Sequence, residues 1–130
     1  MISYGKQFID NSDIDAVVEV LKSDWLTQGP HVESFETELN KYFGSLHACA
    51  NVNGTAALHL VSLALGWKKD DIIITSPITF LATVNCISYS GATVDFADID
   101  AATFTIDPNQ IEEKIKSYIS KGKNVKALIG

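Results

Sequence analysis

The sequence predicts an α/β fold: a mainly parallel sheet with helices on both faces. From position 47 onward, short apolar runs alternate with longer stretches of helical pattern, the grammar of βαβ units. Strands joined through helices pair in parallel, and a parallel sheet needs cover on both faces. With 46% apolar and 20% charged residues, a chain of 130 can bury a real core. No repeat, low-complexity stretch or Pro/Gly/Ser linker interrupts it, so the expectation is one unit.

Taken in order, Ser12 or Asn11 caps a first helix whose apolar residues Ile14, Val17, Val18 and Leu21 fall on one face, ending near Ser23. The loop from Asp24 to Gly29 is polar but holds Trp25 and Leu26, and an aromatic in a loop is more often packing than function. A second helix follows Gly29-Pro30, buries Val32, Phe35, Leu39 and Tyr42 or Phe43, and stops at Gly44, which suits a left-handed terminus. Strands are expected at His47 to Val52, Asp71 to Thr75, Thr93 to Ala97 and Val125 to Ile129. Helices are expected at about 55–65, 79–90 and 108–120, the last announced by Asp107 as cap and Pro108 at its first position. The helix after Gly54 is apolar nearly all round, which suits the inside of a larger body. Gly130 directly follows an apolar run, as if the chain were cut in or just after a strand.

Charge and composition narrow the function. A net charge of -6 is the wrong sign for holding nucleic acid through phosphate neutralisation. No segment approaches the ~20 apolar residues of a membrane span, and the N-terminus has no signal-peptide pattern, so a cytoplasmic protein is expected. All ten basic residues are lysines, which leaves no arginine for a two-pronged carboxylate or phosphate clamp. Cys49 and Cys86, in apolar surroundings and without C-x-x-C spacing, read as buried thiols of a reducing compartment. His31, His47 and His59 are scattered without ligand spacing, so no metal site is expected.

Two turns could carry chemistry. Asn53-Gly54-Thr55-Ala56-Ala57 follows a strand and opens a helix, a place where ligands bind in α/β proteins and where unpaired N–H groups and the helix dipole favour a phosphate. Gly54 lets a ligand approach the backbone and Thr55 adds a hydroxyl, although a glycine and a threonine at such a turn often serve only as a cap. The turn is neither G-x-G-x-x-G nor G-x-x-x-x-G-K-[ST]. In Ser76-Pro77-Ile78-Thr79-Phe80, Pro77 ends a strand and Thr79 can cap the next helix, leaving Phe80 in its first turn at the same sheet edge. Alone, Phe80 is more often core; beside a phosphate site, its ring could stack on a planar ligand. A phosphorylated aromatic cofactor is the simplest ligand with both features.

At these residues the sequence resembles the DegT/DnrJ/EryC1/StrS family of sugar aminotransferases, enzymes of fold type I that depend on pyridoxal 5′-phosphate (PLP). The resemblance runs over essentially the whole chain, through Leu26-Thr27-Gln28-Gly29-Pro30, Phe35-Glu36, Asn53 to His59, Pro77 to Phe80 with Ala82-Thr83, and Gly91-Ala92 to Asp98-Ile99-Asp100. Asn85-Cys86 with Tyr89-Ser90-Gly91-Ala92 is most similar to the branch in pseudaminic acid biosynthesis, which aminates C4 of a UDP-linked 4-keto-6-deoxy-N-acetyl-hexosamine with glutamate as donor.

The resemblance implies an N-terminal helical segment over 1–45, and over 46–130 an incomplete PLP-binding large domain that stops near its fourth strand. Gly54, Thr55 and Ala56 would bind the cofactor phosphate and Phe80 would stack on its ring. Tyr4, Asp24, Trp25, Leu26 and Thr27 would face the nucleotide sugar near a homodimer interface. Asp98 and Asp100 are read as structural turn residues. The family's catalytic lysine and the aspartate that holds the pyridine nitrogen lie beyond these 130 residues, so no catalytic residue is assigned and the piece alone is expected to be inactive. In the family's sheet order the first strand lies at an edge beside the seventh, while strands two to four can pair with one another. A dehydratase that uses pyridoxamine phosphate (PMP), or a non-catalytic sugar-binding or regulatory protein of the same fold, would look alike over this stretch.

Overall fold

The computed structural model describes residues 5–130, which form two compact units, one up to Ala50 and the other Asn51–Gly130. The first holds α1 (Asn11–Lys22) and α2 (Pro30–Phe43). Asp10, not Asn11 or Ser12, caps α1: its carboxylate accepts from the Ser12 and Asp13 N–H groups while the Asp13 carboxylate accepts from the Asp10 N–H. This reciprocal box satisfies more orphan donors than a serine hydroxyl could. The Ser12 hydroxyl and N–H bonds also hold the Asp10 carboxyl below the usual carboxylate range. α2 begins at Pro30 and ends at Gly44, which is left-handed at φ 64° as the sequence implied. Its apolar residues are not buried as expected: Leu39 is half-buried, while Val32, Phe35, Tyr42 and Phe43 stay exposed.

Residues 47–52 do not form the expected strand. A strand exists only through a ladder partner, and among the described residues none pairs with this stretch. The Ala50 N–H donates instead to the Glu36 carboxylate at 2.7 Å. Cys49 is exposed rather than buried for the same reason, whereas Cys86 is buried as predicted.

The second unit runs α3 (Gly54–Ala64), β1 (Ile72–Thr75), α4 (Leu81–Tyr89), β2 (Thr93–Phe96), α5 (Pro108–Ser120) and β3 (Val125–Ile129). The three strands are all parallel in the order β2-β1-β3, so the strands expected to pair with one another do so. β1 is central and wholly buried, as Ile-Ile-Ile-Thr should be. Its face at Ile73, in register with Val94 and Ala127, meets Trp67, Cys86 and Ile87, so α4 covers that side. The alternate face carries Ile74, Asp95 and Leu128. There Asp95 meets α5: its carboxylate accepts from Lys114 Nζ at 2.9 and 3.0 Å and from the Tyr118 hydroxyl at 2.9 Å. Helices therefore lie on both faces.

No sequence pattern announces the Asp95 triad. Burial alone would raise the Asp95 pKa, but the hydrogen bonds from Lys114, the Phe96 N–H and Tyr118, with the lysine charge, outweigh it and lower it. Burial, and then the Asp95 bond and charge, push the Tyr118 hydroxyl up. A carboxyl whose folded pKa is depressed stabilises the fold above its unfolded pKa of ~3.9, and that stability is lost as pH falls through the folded value. Asp95→Asn in the complete polypeptide should cost about 1–2 kcal/mol near neutrality and flatten the loss of stability in acid. Urea unfolding from neutral to acid pH tests this, and equal midpoints for the two proteins at every pH would refute it.

Asp100 has the turn role expected of it, and the Asp98 carboxylate accepts from the Ile99 N–H beside it at 2.8 Å. The Asp100 carboxylate accepts from the Ala102 and Thr103 N–H groups, closing a turn that an Ile99–Ile106 bridge fastens.

Candidate cofactor site

Parallel strands place the site. α4 leaves the carboxyl end of β1 and returns to the amino end of β2, so it runs antiparallel to the strands. α3 packs chiefly on α4 and leads through the turn at residues 65–71 into the amino end of β1. The N-termini of both helices are thereby directed toward the carboxyl edge of the sheet, where open α/β folds bind ligands.

At the first N-terminus Asn53 is the cap, its side chain accepting from the Ala56 N–H at 2.9 Å. Of the three residues expected to hold a phosphate, Ala56 already has its donor engaged. Among the described residues no hydrogen bond reaches the N–H of Gly54 or Thr55, or the Thr55 hydroxyl. A Cβ built on Gly54 meets nothing within 4 Å, and its φ is not positive, so neither packing nor backbone strain within the chain calls for glycine there. What glycine leaves is access for a ligand to two aligned donors at the positive end of a helix.

At the second N-terminus Phe80 is itself the cap residue and has no side-chain cap bond. Thr79, expected to cap, bonds the Thr83 hydroxyl at 3.1 Å instead. Phe80 is 76% exposed, so none of the described residues covers its ring. An uncovered ring at the head of one helix and two vacant donors at the head of its neighbour match a planar ligand that carries a phosphate.

The remaining predicted residues belong to the first unit. Asp24, Trp25, Leu26 and Thr27 are exposed on the loop between α1 and α2, and Tyr4 lies outside the described residues. Trp25 is 61% exposed, yet its Cβ lies where a Cβ on Gly29 would come within 2.6 Å. The turn closes only because residue 29 is glycine, a constraint that the Gly29-Pro30 pair had suggested merely as a helix start. Trp25, Gln28 and Gly29 line, with Val32, Glu33 and Glu36 of α2, a hollow of about 510 Å³.

Among the described residues no group of three His, Cys, Asp or Glu side chains could hold a metal ion, and no helix is long and apolar enough to cross a membrane.

The model of the DegT/DnrJ/EryC1/StrS aminotransferase family matches residues 7–127. A UDP-4-amino-4,6-dideoxy-N-acetyl-beta-L-altrosamine transaminase of Campylobacter jejuni is 44% identical over 121 residues, which are 93% of this chain and 31% of that protein. The chain thus spans about a third of the length of this curated relative. Helicobacter pylori PseC, an aminotransferase of pseudaminic acid biosynthesis, superposes with a TM-score of 0.81 at 34% identity, over 97% of this chain and 33% of its own. A GDP-4-keto-6-deoxymannose-3-dehydratase solved with PLP and glutamate trapped together superposes with a TM-score of 0.78 at 32% identity, over 83% of this chain and 30% of its own. Matched over residues 7–127, the chain belongs to the DegT/DnrJ/EryC1/StrS aminotransferase family.

Proposed function

We propose that the protein is a PLP-dependent aminotransferase that moves an amino group from glutamate to C4 of a UDP-linked 4-keto-6-deoxy-N-acetyl-hexosamine in surface-sugar biosynthesis. The observation that carries this is the pairing of the vacant Gly54 and Thr55 donors with the uncovered Phe80 ring. The relatives' substrates and the solved PLP complex agree with it.

In this reading the Gly54 and Thr55 N–H groups and the Thr55 hydroxyl hold the phosphate, the α3 dipole favours its charge, and Ala56 contributes through the capped first turn. Phe80 lies against one face of the pyridine ring and keeps water from it. Tyr4, Asp24, Trp25, Leu26 and Thr27 face the nucleotide sugar. The cofactor supplies the electron sink for bond breaking at the amino-bearing carbon. No side chain here takes the catalytic role: Lys114 is tied to Asp95, and the other nine lysines are exposed, without the apolar pocket that an imine-forming lysine needs. The catalytic lysine and its aspartate partner are assigned outside these residues, and the 130-residue chain alone is inactive. The division into an N-terminal segment, 1–45, and part of the large domain, 46–130, of a cytoplasmic homodimer belongs to the same reading.

The dehydratase among the solved relatives favours one second reading, PMP-dependent loss of a sugar hydroxyl. The complete polypeptide, incubated with PLP, glutamate and the UDP-keto sugar, should consume one glutamate per sugar aminated and show a visible absorbance band that borohydride abolishes. A product that has lost water and gained no nitrogen would select the dehydratase. Sugar binding without cofactor uptake would select a non-catalytic protein.

A further inference from the structure

Gly54 and Thr55 head one helix and Phe80 heads another, so one rigid ligand can touch both only if α3 is set correctly against α4. Elsewhere α3 is anchored through Leu58, which packs against the core. Ser62 is its one buried residue, and the Ser62 hydroxyl turns back to the carbonyl of His59 at 2.7 Å. Across the α3–α4 interface the His59 ring meets the Tyr89 ring edge-on, with centroids 5.3 Å apart and planes at 65°. His59 lies about one and a half turns beyond Gly54, and Tyr89 is the last residue of α4. Neither belongs to the Trp67, Ile73, Cys86 and Ile87 core, and Tyr89 is more than half exposed. The contact bridges the two helices that bear the site without serving the core beneath them.

We propose that the His59–Tyr89 contact is a positioning element that fixes the separation between the Gly54–Thr55 donors and the Phe80 ring. The inference rests on the cofactor reading of that site. A ligand held at two points gains affinity over its separate halves only while the points keep their spacing, because engagement at one end raises the effective concentration at the other. Loosening the spacing should erase that gain and leave each half-site as it was.

The test uses the complete polypeptide and three probes that form no bond with lysine: pyridoxine 5′-phosphate, pyridoxine and inorganic phosphate. His59→Ala and Tyr89→Ala should each weaken pyridoxine 5′-phosphate about tenfold, the size of coupling expected between contacting residues, while affinity for the two separate halves stays unchanged. His59→Phe, which keeps a ring at the contact, should restore most of the loss. Equal weakening of all three probes, or no rescue by phenylalanine, would reduce the pair to ordinary helix packing and overturn the proposal. Unchanged pyridoxine 5′-phosphate binding in both alanine variants would also overturn it, with the cofactor reading intact. A wild-type protein that binds no pyridoxine 5′-phosphate would sink both.

Discussion

Gly54→Asp should strip the complete protein of its cofactor while leaving the fold at least as stable. The two effects have opposite signs because a carboxylate at the first position of α3 occupies the place assigned to the phosphate. Toward the helix it is favourable: a negative charge beside the positive dipole end contributes about 0.3–1 kcal/mol. Toward the fold it is harmless, since a Cβ at residue 54 meets nothing within 4 Å and φ is not in the left-handed region. Toward a phosphate it is doubly unfavourable, through like charge at contact distance and through competition for the Gly54 and Thr55 donors. Losing two charge-assisted hydrogen bonds, at about 1.5–3 kcal/mol each, would lower affinity a hundredfold or more. Cofactor titration alongside thermal unfolding of the unloaded protein separates these effects. Retained affinity would show that the phosphate lies elsewhere; lost stability would show that glycine is needed by the fold and not by a ligand.

How far the sequence disclosed this site depends on the physics behind each feature. Local signals carried well. Asp107-Pro108 gave the start of α5, Gly44 the end of α2, and the apolar runs gave β1, β2 and β3 to within a residue. Cap identity carried less well, because several polar residues stood together and the one with the best reciprocal geometry won. Thus Asp10 replaced Asn11 or Ser12, and Phe80 replaced Thr79 once the Thr79 hydroxyl had bonded Thr83. Pairing across distance carried least. No pattern joins Asp95 to Lys114 and Tyr118, and an extended-looking run at 47–52 says nothing about whether a neighbour exists to make it a strand. In the candidate site, the helix-opening turn at Asn53-Gly54-Thr55 and the place of Phe80 at the head of the next helix were both legible. What sequence could not supply was the exposure of Phe80 and the open space around Gly54 among the described residues, the two observations from which the cofactor proposal starts.

The 130-residue chain on its own should self-associate, by an argument that also starts from exposure. On α1 the apolar stripe of Ile14, Val17 and Leu21 is more than half exposed, and on α3 and its C-cap Leu60, Val61, Leu63 and Leu65 are each about half exposed. Amphipathic helices gain most of their stability by burying such a stripe, and α3 is apolar on nearly every side while α4 and the core cover only part of it. β2 and β3 are also edge strands of a three-stranded sheet, each presenting one unpaired row of backbone donors and acceptors. Each half-exposed leucine or valine withholds roughly 1 kcal/mol of transfer free energy, so association recovers several kcal/mol per helix face. That is a large fraction of the 5–15 kcal/mol by which a domain is ordinarily stable. Light scattering and a dye that fluoresces on apolar surface should therefore report oligomers over micromolar concentrations. Leu60→Lys with Val61→Glu should suppress that association, since charges on an uncovered face cost the monomer little. A monodisperse monomer with a cooperative thermal transition would show instead that the three-stranded sheet and its core suffice alone, and that these apolar faces are tolerated in water.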